Sequence, residues 1–316
     1  MSGMTTDILW LGQDACHDCT LVGGKVANLS RLAATYAVPS GFCVPTTALI
    51  AGVSGSEGAP SLSLPPMLRS TLAVAYRRLA ELTEEPEPRV AVRSSAADED
   101  GSDASFAGQH DTYLNIAGSD AVMEAVARCW ASAHTERAYE YRRQHGLSRD
   151  YIRLAVLVQQ LVPADVAAVV FSANPVTGNR GEVLINASWG LGESIVGGTV
   201  TPDTYVVDKA SGATAEQHIA EKRRMTVAVP GGTREVDVPR FLRSAPALND
   251  LQITAMADLA RALEATMGWP VDIECAVHGD DLYLLQCRPI TTLITAQSPA
   301  ALAALGTRAG AALTGR

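Results

Sequence analysis

Aromatic residues make up only 5% of this 316-residue chain. That is too few for the stacking platforms that bind single-stranded nucleic acid. Basic residues are also in the minority: Lys+Arg 25 against Asp+Glu 34, a formal charge of -9. Phosphate backbones demand a basic surface, so a general nucleic-acid binder is excluded, although a local basic pocket for a small anion is not. No apolar run reaches the roughly 18 residues that span a membrane. The first seven residues, Met1 to Asp7, carry no basic residue and no long apolar stretch follows, so a secretory leader is not expected. Six cysteines without regular spacing point to reduced thiols and a cytoplasmic setting. Cys16-His17-Asp18-Cys19 has no second ligand pair and reads as a loop with incidental thiols. No internal repeat is evident.

What is present is ample apolar material, 47% of residues, for a sizeable core. The length suggests about two domains or one large two-lobed unit. Helical periodicity predicts helices over Lys25–Tyr36, Met67–Leu82 and Asp120–His145. A helix from Asn249 to Met267 opens with Asn249 and Gln252 in reciprocal capping positions and stops at Gly268-Trp269-Pro270. Short β-rich runs predict strands at Arg89–Val92, Thr112–Ile116, Tyr151–Gln160, Val166–Phe171, Glu182–Ala187, Thr204–Val207, Val271–Val277 and Leu282–Arg288. Residues 209–247 have a mixed pattern with no clear assignment. The stretch after Leu293 is Ala/Ser/Gly/Thr-rich and reads as a weak helix or linker.

Four clusters carry chemistry. Gly23-Gly24-Lys25 opens a helix, where close backbone approach, free N–H groups and a lysine suit an anion. It lacks the Walker A spacing, and an ordinary tight turn is the plain alternative. Arg93-Ser94-Ser95, then Asp98-Glu99-Asp100-Gly101 and Ser105-Phe106-Ala107-Gly108-Gln109, suit a phosphate-covering lid, or equally a solvated surface loop. Asn174 to Gly178 and Trp189 to Glu193 read as tight turns near a ligand, with Glu193 a carboxylate for a metal, a ribose or a salt bridge. The sharpest cluster is Asp272-Ile273-Glu274 with Gln286-Cys287-Arg288 on neighbouring strands. Side chains alternate along a strand, so a register pairing Glu274 with Gln286 gathers all four polar groups on one face; an odd register scatters them. Glu274 and Gln286 then offer hard oxygen ligands for Mg²⁺, and Arg288 a bidentate phosphate clamp.

In this order the clusters resemble the ATP-binding domain of the phosphoenolpyruvate synthase / pyruvate phosphate dikinase family, which rifampin phosphotransferases share. Further matching stretches are Val38 to Phe42, Val158 to Val162, Phe171 to Gly178, Trp189 to Gly198, Pro202-Asp203 and Gln286 to Thr292. The match runs from about Leu21 to Leu293. The resemblance implies an α+β, ATP-grasp-like fold with nucleotide bound between two lobes. It implies an N-terminal part over residues 1–210, a C-terminal lobe over 211–295 and a tail over 296–316. It further implies that Lys25 and Arg93 contact phosphates, that Ser105, Gly108 and Gln109 lie in the phosphate loop, and that Gln160, Leu161 and Val162 hold adenine through backbone groups. Glu274 and Gln286 would be the Mg²⁺ residues, and Arg288, Glu274, Gln286 and Arg93 the catalytic set. Cys275 stands where the family often has Trp, and Ala168 where Gly is usual.

Relatives in this family pass phosphate through a carrier histidine on a swivelling domain. None of His17, His110, His134, His145, His218 and His278 lies in that context. The resemblance therefore implies an ATP-dependent phosphotransferase component that works with a separate phosphocarrier-histidine domain and a small-molecule acceptor. The alternatives are a stand-alone ATP-grasp kinase or ligase, and a non-catalytic nucleotide-binding module.

Overall fold

The computed structural model describes residues 7–48, 64–96, 112–133 and 153–290, with residues 135, 140, 143 and 293. Two antiparallel sheets dominate it. The first has five strands: β1 (Leu9–Trp10), β2 (Gly41–Val44), β3 (Val90–Ala96), β4 (Thr112–Ile116) and β5 (Leu154–Gln160), in the order β1-β2-β5-β3-β4. The second has six: β6 (Val166–Phe171), β7 (Glu182–Trp189), β8 (Asp203–Asp208), β9 (Thr214–His218), β12 (Val271–His278) and β13 (Asp281–Pro289), in the order β13-β12-β6-β7-β8-β9. Between β9 and β12 in sequence lies a separate hairpin, β10 (Arg224–Val229) with β11 (Gly232–Asp237).

Alternation along the strands decides which helix covers which face. In the five-stranded sheet Phe42, Val44, Val90, Val92, Val156 and Val158 point one way, into a core with helices α2 (Pro66–Thr83) and α3 (Ser119–Ser132). Cys43, Ala155 and Leu157 point the other way, toward α1 (Cys19–Leu32). That same core continues into the six-stranded sheet through Val170, Ile185 and Ile273, and into α5 (Asp250–Met267) through Met256 and Leu263. A short helix, α4 (Glu193–Val196), follows β7. The α+β class is thus as expected, with α1 packed against both sheets.

Most expected elements are present. The capping box of α5 forms, with Asn249 accepting from the Gln252 backbone and Gln252 from the Asn249 backbone, and Gly268 ends the helix at φ 76°. Three expectations need correction. The N-terminal helix starts at Cys19, with Asp18 capping the Thr20 N–H, so the Cys16–Cys19 stretch is a 3₁₀ turn and helix start and not a loop. The strand expected over Arg89–Val92 is longer: β3 runs on through Arg93 to Ala96, because Ser94 and Ser95 are buried in pairing with β5. A division at 210/211 separates β8 from β9 and β6 from β12, which are hydrogen-bonded neighbours, whereas the sheets divide between β5 and β6. The helix expected over Asp120–His145 is observed over Ser119–Ser132, and the greater part of its remainder lies outside the described residues, as does the tail after Leu293.

Candidate functional site

A cleft of about 400 Å³ opens between the two sheets. One wall is made by α1 and β3, which contribute Lys25, Arg93, Ser94 and Ser95; the other by β6, α4, β12 and β13, which contribute Ala168, Glu193, Glu274, Gln286 and Arg288.

The α1 wall depends on Gly23. The helix breaks there, at φ 74°, and restarts at Gly24, so Lys25 does sit in the first turn of a helical segment. A Cβ on Gly23 would lie 2.3 Å from Ser95 Oγ and 2.6 Å from the Ser95 carbonyl oxygen. Both the left-handed backbone and the contact with β3 therefore require glycine. Ser95 Oγ in turn accepts from the Val26 N–H at 3.5 Å, capping the restarted helix from the neighbouring strand.

On the opposite wall the strand register is the even one. Glu274 pairs with Gln286 and Asp272 with Arg288, so all four polar groups share a face while Ile273 and Cys287 enter the core. The register slips between Glu274 and Cys275, directly after the pair, as bulges beside functional sites do. Arg288 Nε donates to Asp272 Oδ2 at 2.9 Å. Asp272 is buried, and that burial raises its carboxyl above the usual range, against the pull of Arg288.

The walls meet at Arg93. Its Nη1 lies 3.8 Å from Glu274 Oε2 and donates to the Leu285 carbonyl at 3.4 Å. Arg93 Nε and Asp272 Oδ1 are buried without a hydrogen-bond partner among the described residues. A natural domain rarely leaves such groups unmet unless a ligand or water completes them.

A smaller cavity of about 30 Å³ adjoins the cleft, sharing Arg93, Leu114, Ala167 and Leu285 with it. Gln160, Leu161 and Val162 line it. The Leu161 N–H is already spent on the Arg89 carbonyl at 2.8 Å, and the Gln160 N–H on Ser40 at 2.8 Å. These bonds hold the segment as a rigid edge beside the cleft.

The structure thus brings together Lys25, Arg93, Glu274, Gln286 and Arg288, with Gln160 to Val162 at the adjoining end. Ser105, Gly108 and Gln109 lie outside the described residues. Asn174 to Gly178, expected near a ligand, does not line the cleft: Asn174 Oδ1 caps its own turn by accepting from the Val176 and Thr177 N–H groups, and its Nδ2 donates to Glu182. Pro202-Asp203 is a packing motif. Asp203 and Lys222 are fully buried and paired, Nζ to Oδ1 at 2.5 Å. Leu191 lies in the Trp189–Glu193 stretch expected near a ligand; sequence reasoning missed the other apolar wall residues, Leu114 and Ile195, because nothing separates a cleft-facing apolar side chain from a core one until the sheets are packed.

A two-lobed domain with three cations and a carboxylate–amide pair around one cleft is the build of a nucleotide-binding domain. The chain belongs to the pyruvate phosphate dikinase AMP/ATP-binding domain family, whose model matches residues 58–308. It is 37% identical to a phosphoenolpyruvate synthase from Pyrococcus furiosus, over 90% of this chain and 44% of that protein. It is 39% identical to a rifampicin phosphotransferase from Streptomyces sviceus, over 86% of this chain and 34% of that one. A prodigiosin synthesizing transferase, PigC, from Serratia marcescens is 38% identical over 91% of this chain and 33% of its own length. The chain thus spans less than half the length of each of these curated relatives.

Proposed function

We propose that this chain binds Mg-ATP in the cleft and transfers a phosphoryl group to a histidine on a carrier domain outside these 316 residues, which then delivers it to a small-molecule acceptor. The observation that carries the reading is the meeting of Arg93 and Glu274 across the cleft, with Gln286 and Arg288 in register beside them. The base lies at the Gln160–Val162 edge, and the phosphates extend toward Lys25, Arg93 and Arg288. Lysine supplies a point charge, and arginine a planar fork matched to phosphate oxygens.

Glu274 and Gln286 fit a magnesium ion: both offer oxygen donors, they are register partners, and the unmet Asp272 Oδ1 lies two positions away. When bound, the ion neutralises phosphate charge. The remaining work falls to the chain's own side chains. Asp272 orients Arg288 through its Nε, and Arg93 approaches the same centre from the other sheet. Such preorganised positive charge stabilises the charge that spreads over a phosphoryl group in flight. As the bond from phosphorus to its bridging oxygen breaks, its electron pair leaves with the nucleotide phosphate, and a P–N bond forms to the carrier imidazole, which must enter in line. No histidine lines the cleft among the described residues, which supports an external nucleophile.

The test incubates the isolated chain with labelled ATP, with and without the phosphocarrier domain of a related phosphoenolpyruvate synthase. The expected result is labelled phosphohistidine on the carrier and little turnover without it. Rapid turnover by the chain alone with a small-molecule acceptor would favour a stand-alone kinase or ligase. Before that, Mg-ATP at about a hundred times its dissociation constant should raise stability by about 2.7 kcal/mol.

A further inference from the structure

The β10–β11 hairpin belongs to neither sheet, yet it is fastened to both. On the six-stranded side the Leu191 N–H donates to the Thr226 carbonyl at 2.9 Å, and Ser194 Oγ and Thr226 Oγ1 share a buried hydrogen bond of 2.7 Å. Gly190, at φ 79°, permits this approach: a Cβ there would lie 2.4 Å from the Thr226 oxygen. On the five-stranded side, among the described residues, the hydrogen bonds to the hairpin come from Asn115 of β4. Its Nδ2 donates to the carbonyls of Val229 (2.6 Å) and Gly232 (2.7 Å), the pair that closes the hairpin. Its Oδ1 accepts from Arg89 Nη1 at 2.8 Å.

Asn115 is 1% exposed and sits at φ 60°, a left-handed conformation that asparagine tolerates better than most residues. Its NH2 group is fully committed to a contact outside its own sheet. Arg89, which holds it, also accepts the Leu161 N–H, so the fastener is one residue from the edge of the cleft. The residues next to the two fastenings, Leu114 and Leu191, form with Ala91 a small cluster that lines the inner cavity. Each fastening therefore sits beside a leucine of one cleft wall.

We propose that the hairpin is a strap across the two lobes and that Asn115 is a positioning residue: by holding the strap it sets the spacing of the Leu114 and Leu191 walls, and with it the affinity for the nucleotide base. The inference rests on the reading of the cleft as an ATP site. It also predicts something that ordinary structural damage does not. A strap acts in series, so releasing either end loosens the cleft, and releasing the second end adds nothing. Independent defects at separate sites would add.

Three variants test this: Asn115→Asp, which keeps the shape and loses both donated bonds; Thr226→Val, a milder release of the other end; and the double variant. Two measurements are made on the full chain, ATP affinity by calorimetry and amide hydrogen exchange of residues 224–237 without nucleotide. The expected result is a roughly tenfold loss of ATP affinity in N115D, in the usual range for coupling between parts of a protein. T226V should lose less, the double variant no more than N115D, and hairpin exchange should quicken in all three. Additive losses in the double variant, or wild-type exchange in N115D, would overturn the strap. If wild type bound no ATP, the nucleotide half of the inference would fall together with the cleft reading, while faster hairpin exchange in N115D would still support the strap between lobes. Should N115D not fold, Asn115→Gly decides, since glycine suits the positive φ and lacks the amide: unchanged exchange and affinity would overturn the proposal.

Discussion

Two sets of oppositely charged residues in this chain have similar composition and opposite character. Asp203 and Lys222 lie at 0% exposure and are well supplied with partners: Asp203 accepts from Lys222 Nζ and from the Ala220 and Ala247 N–H groups, and Lys222 also donates to the Ala220 carbonyl. Tyr205 beside them is pushed up to about 12, first by burial and then by the Asp203 charge. In the cleft, Arg93, Glu274, Asp272 and Arg288 are also partly or largely buried, but Arg93 Nε and Asp272 Oδ1 are left without a partner among the described residues. A low-dielectric interior makes each unmet polar group costly. The saturated set needs nothing beyond the fold, whereas the cleft set leaves two buried polar atoms that a ligand or water could complete.

The sharpest way to break this comparison is Arg288→Met. The variant keeps the bulk and removes the fork. With a carrier domain present, phosphoryl transfer should fall by about 10⁴-fold, the scale of losing an arginine from a phosphoryl-transfer centre. ATP affinity, by calorimetry, should fall far less, because the interaction counts most as charge moves. Equal losses in both would make Arg288 a binding residue only. Glu274→Gln should behave alike.

Lys222→Met probes the other set. Removing one partner strands a buried carboxylate, at a cost of about 3–5 kcal/mol in urea unfolding. A loss below about 1 kcal/mol would mean that Asp203 is satisfied by its backbone donors and that the saturated set does not depend on the pair. Gly23→Ala should cost less, about 2 kcal/mol, from a positive φ and a methyl group forced onto Ser95. The same melts should show a reduced gain from Mg-ATP, since Ser95 and Lys25 both line the cleft.

The smallest effect belongs to Asp272→Asn. The folded-state carboxyl of Asp272 is raised above 3.8, so between that value and its folded value the native state binds more protons than the unfolded chain. Stability from this group is then fullest below pH 3.8 and is lost as pH rises through the folded value. At pH 7 D272N should unfold no more easily than wild type. Below pH 4 wild type should gain relative to it. A wild type that lost ground on acidification would reverse the assigned direction. Phosphoryl transfer should fall in D272N at pH 7, because an amide holds Arg288 less firmly.

Parts of this outcome were legible in the chain. The alternation in Asp272-Ile273-Glu274 and Gln286-Cys287-Arg288 defined two polar faces, but whether they met depended on register, and a slip of one residue would have put Cys287 there instead. The bulge after Glu274 could not be read, since it arises from fitting β12 between β6 and β13. The mixed stretch over 209–247 concealed a hairpin. Its signals were Pro230-Gly231-Gly232 and six residues of pairing on each side, weakened because its charged residues, Arg224 with Glu235 and Asp237, face solvent on both strands. Asn115 gave no signal at all: a lone asparagine in an alternating strand looks like any polar position.

By itself, then, the amino-acid sequence determined most of the helices and core strands, the α5 caps, the polar faces of the last two strands and the family, because these follow from local periodicity, capping chemistry and the order of short motifs. Only the tertiary structure decided that Arg93 meets Glu274 across two sheets, that Asp203 finds Lys222, and that Asn115 holds a hairpin more than a hundred residues away. Each of those pairs joins residues whose separation along the chain carries no information, and each exists because burying the apolar faces of two sheets against α1 leaves these polar groups one place to go.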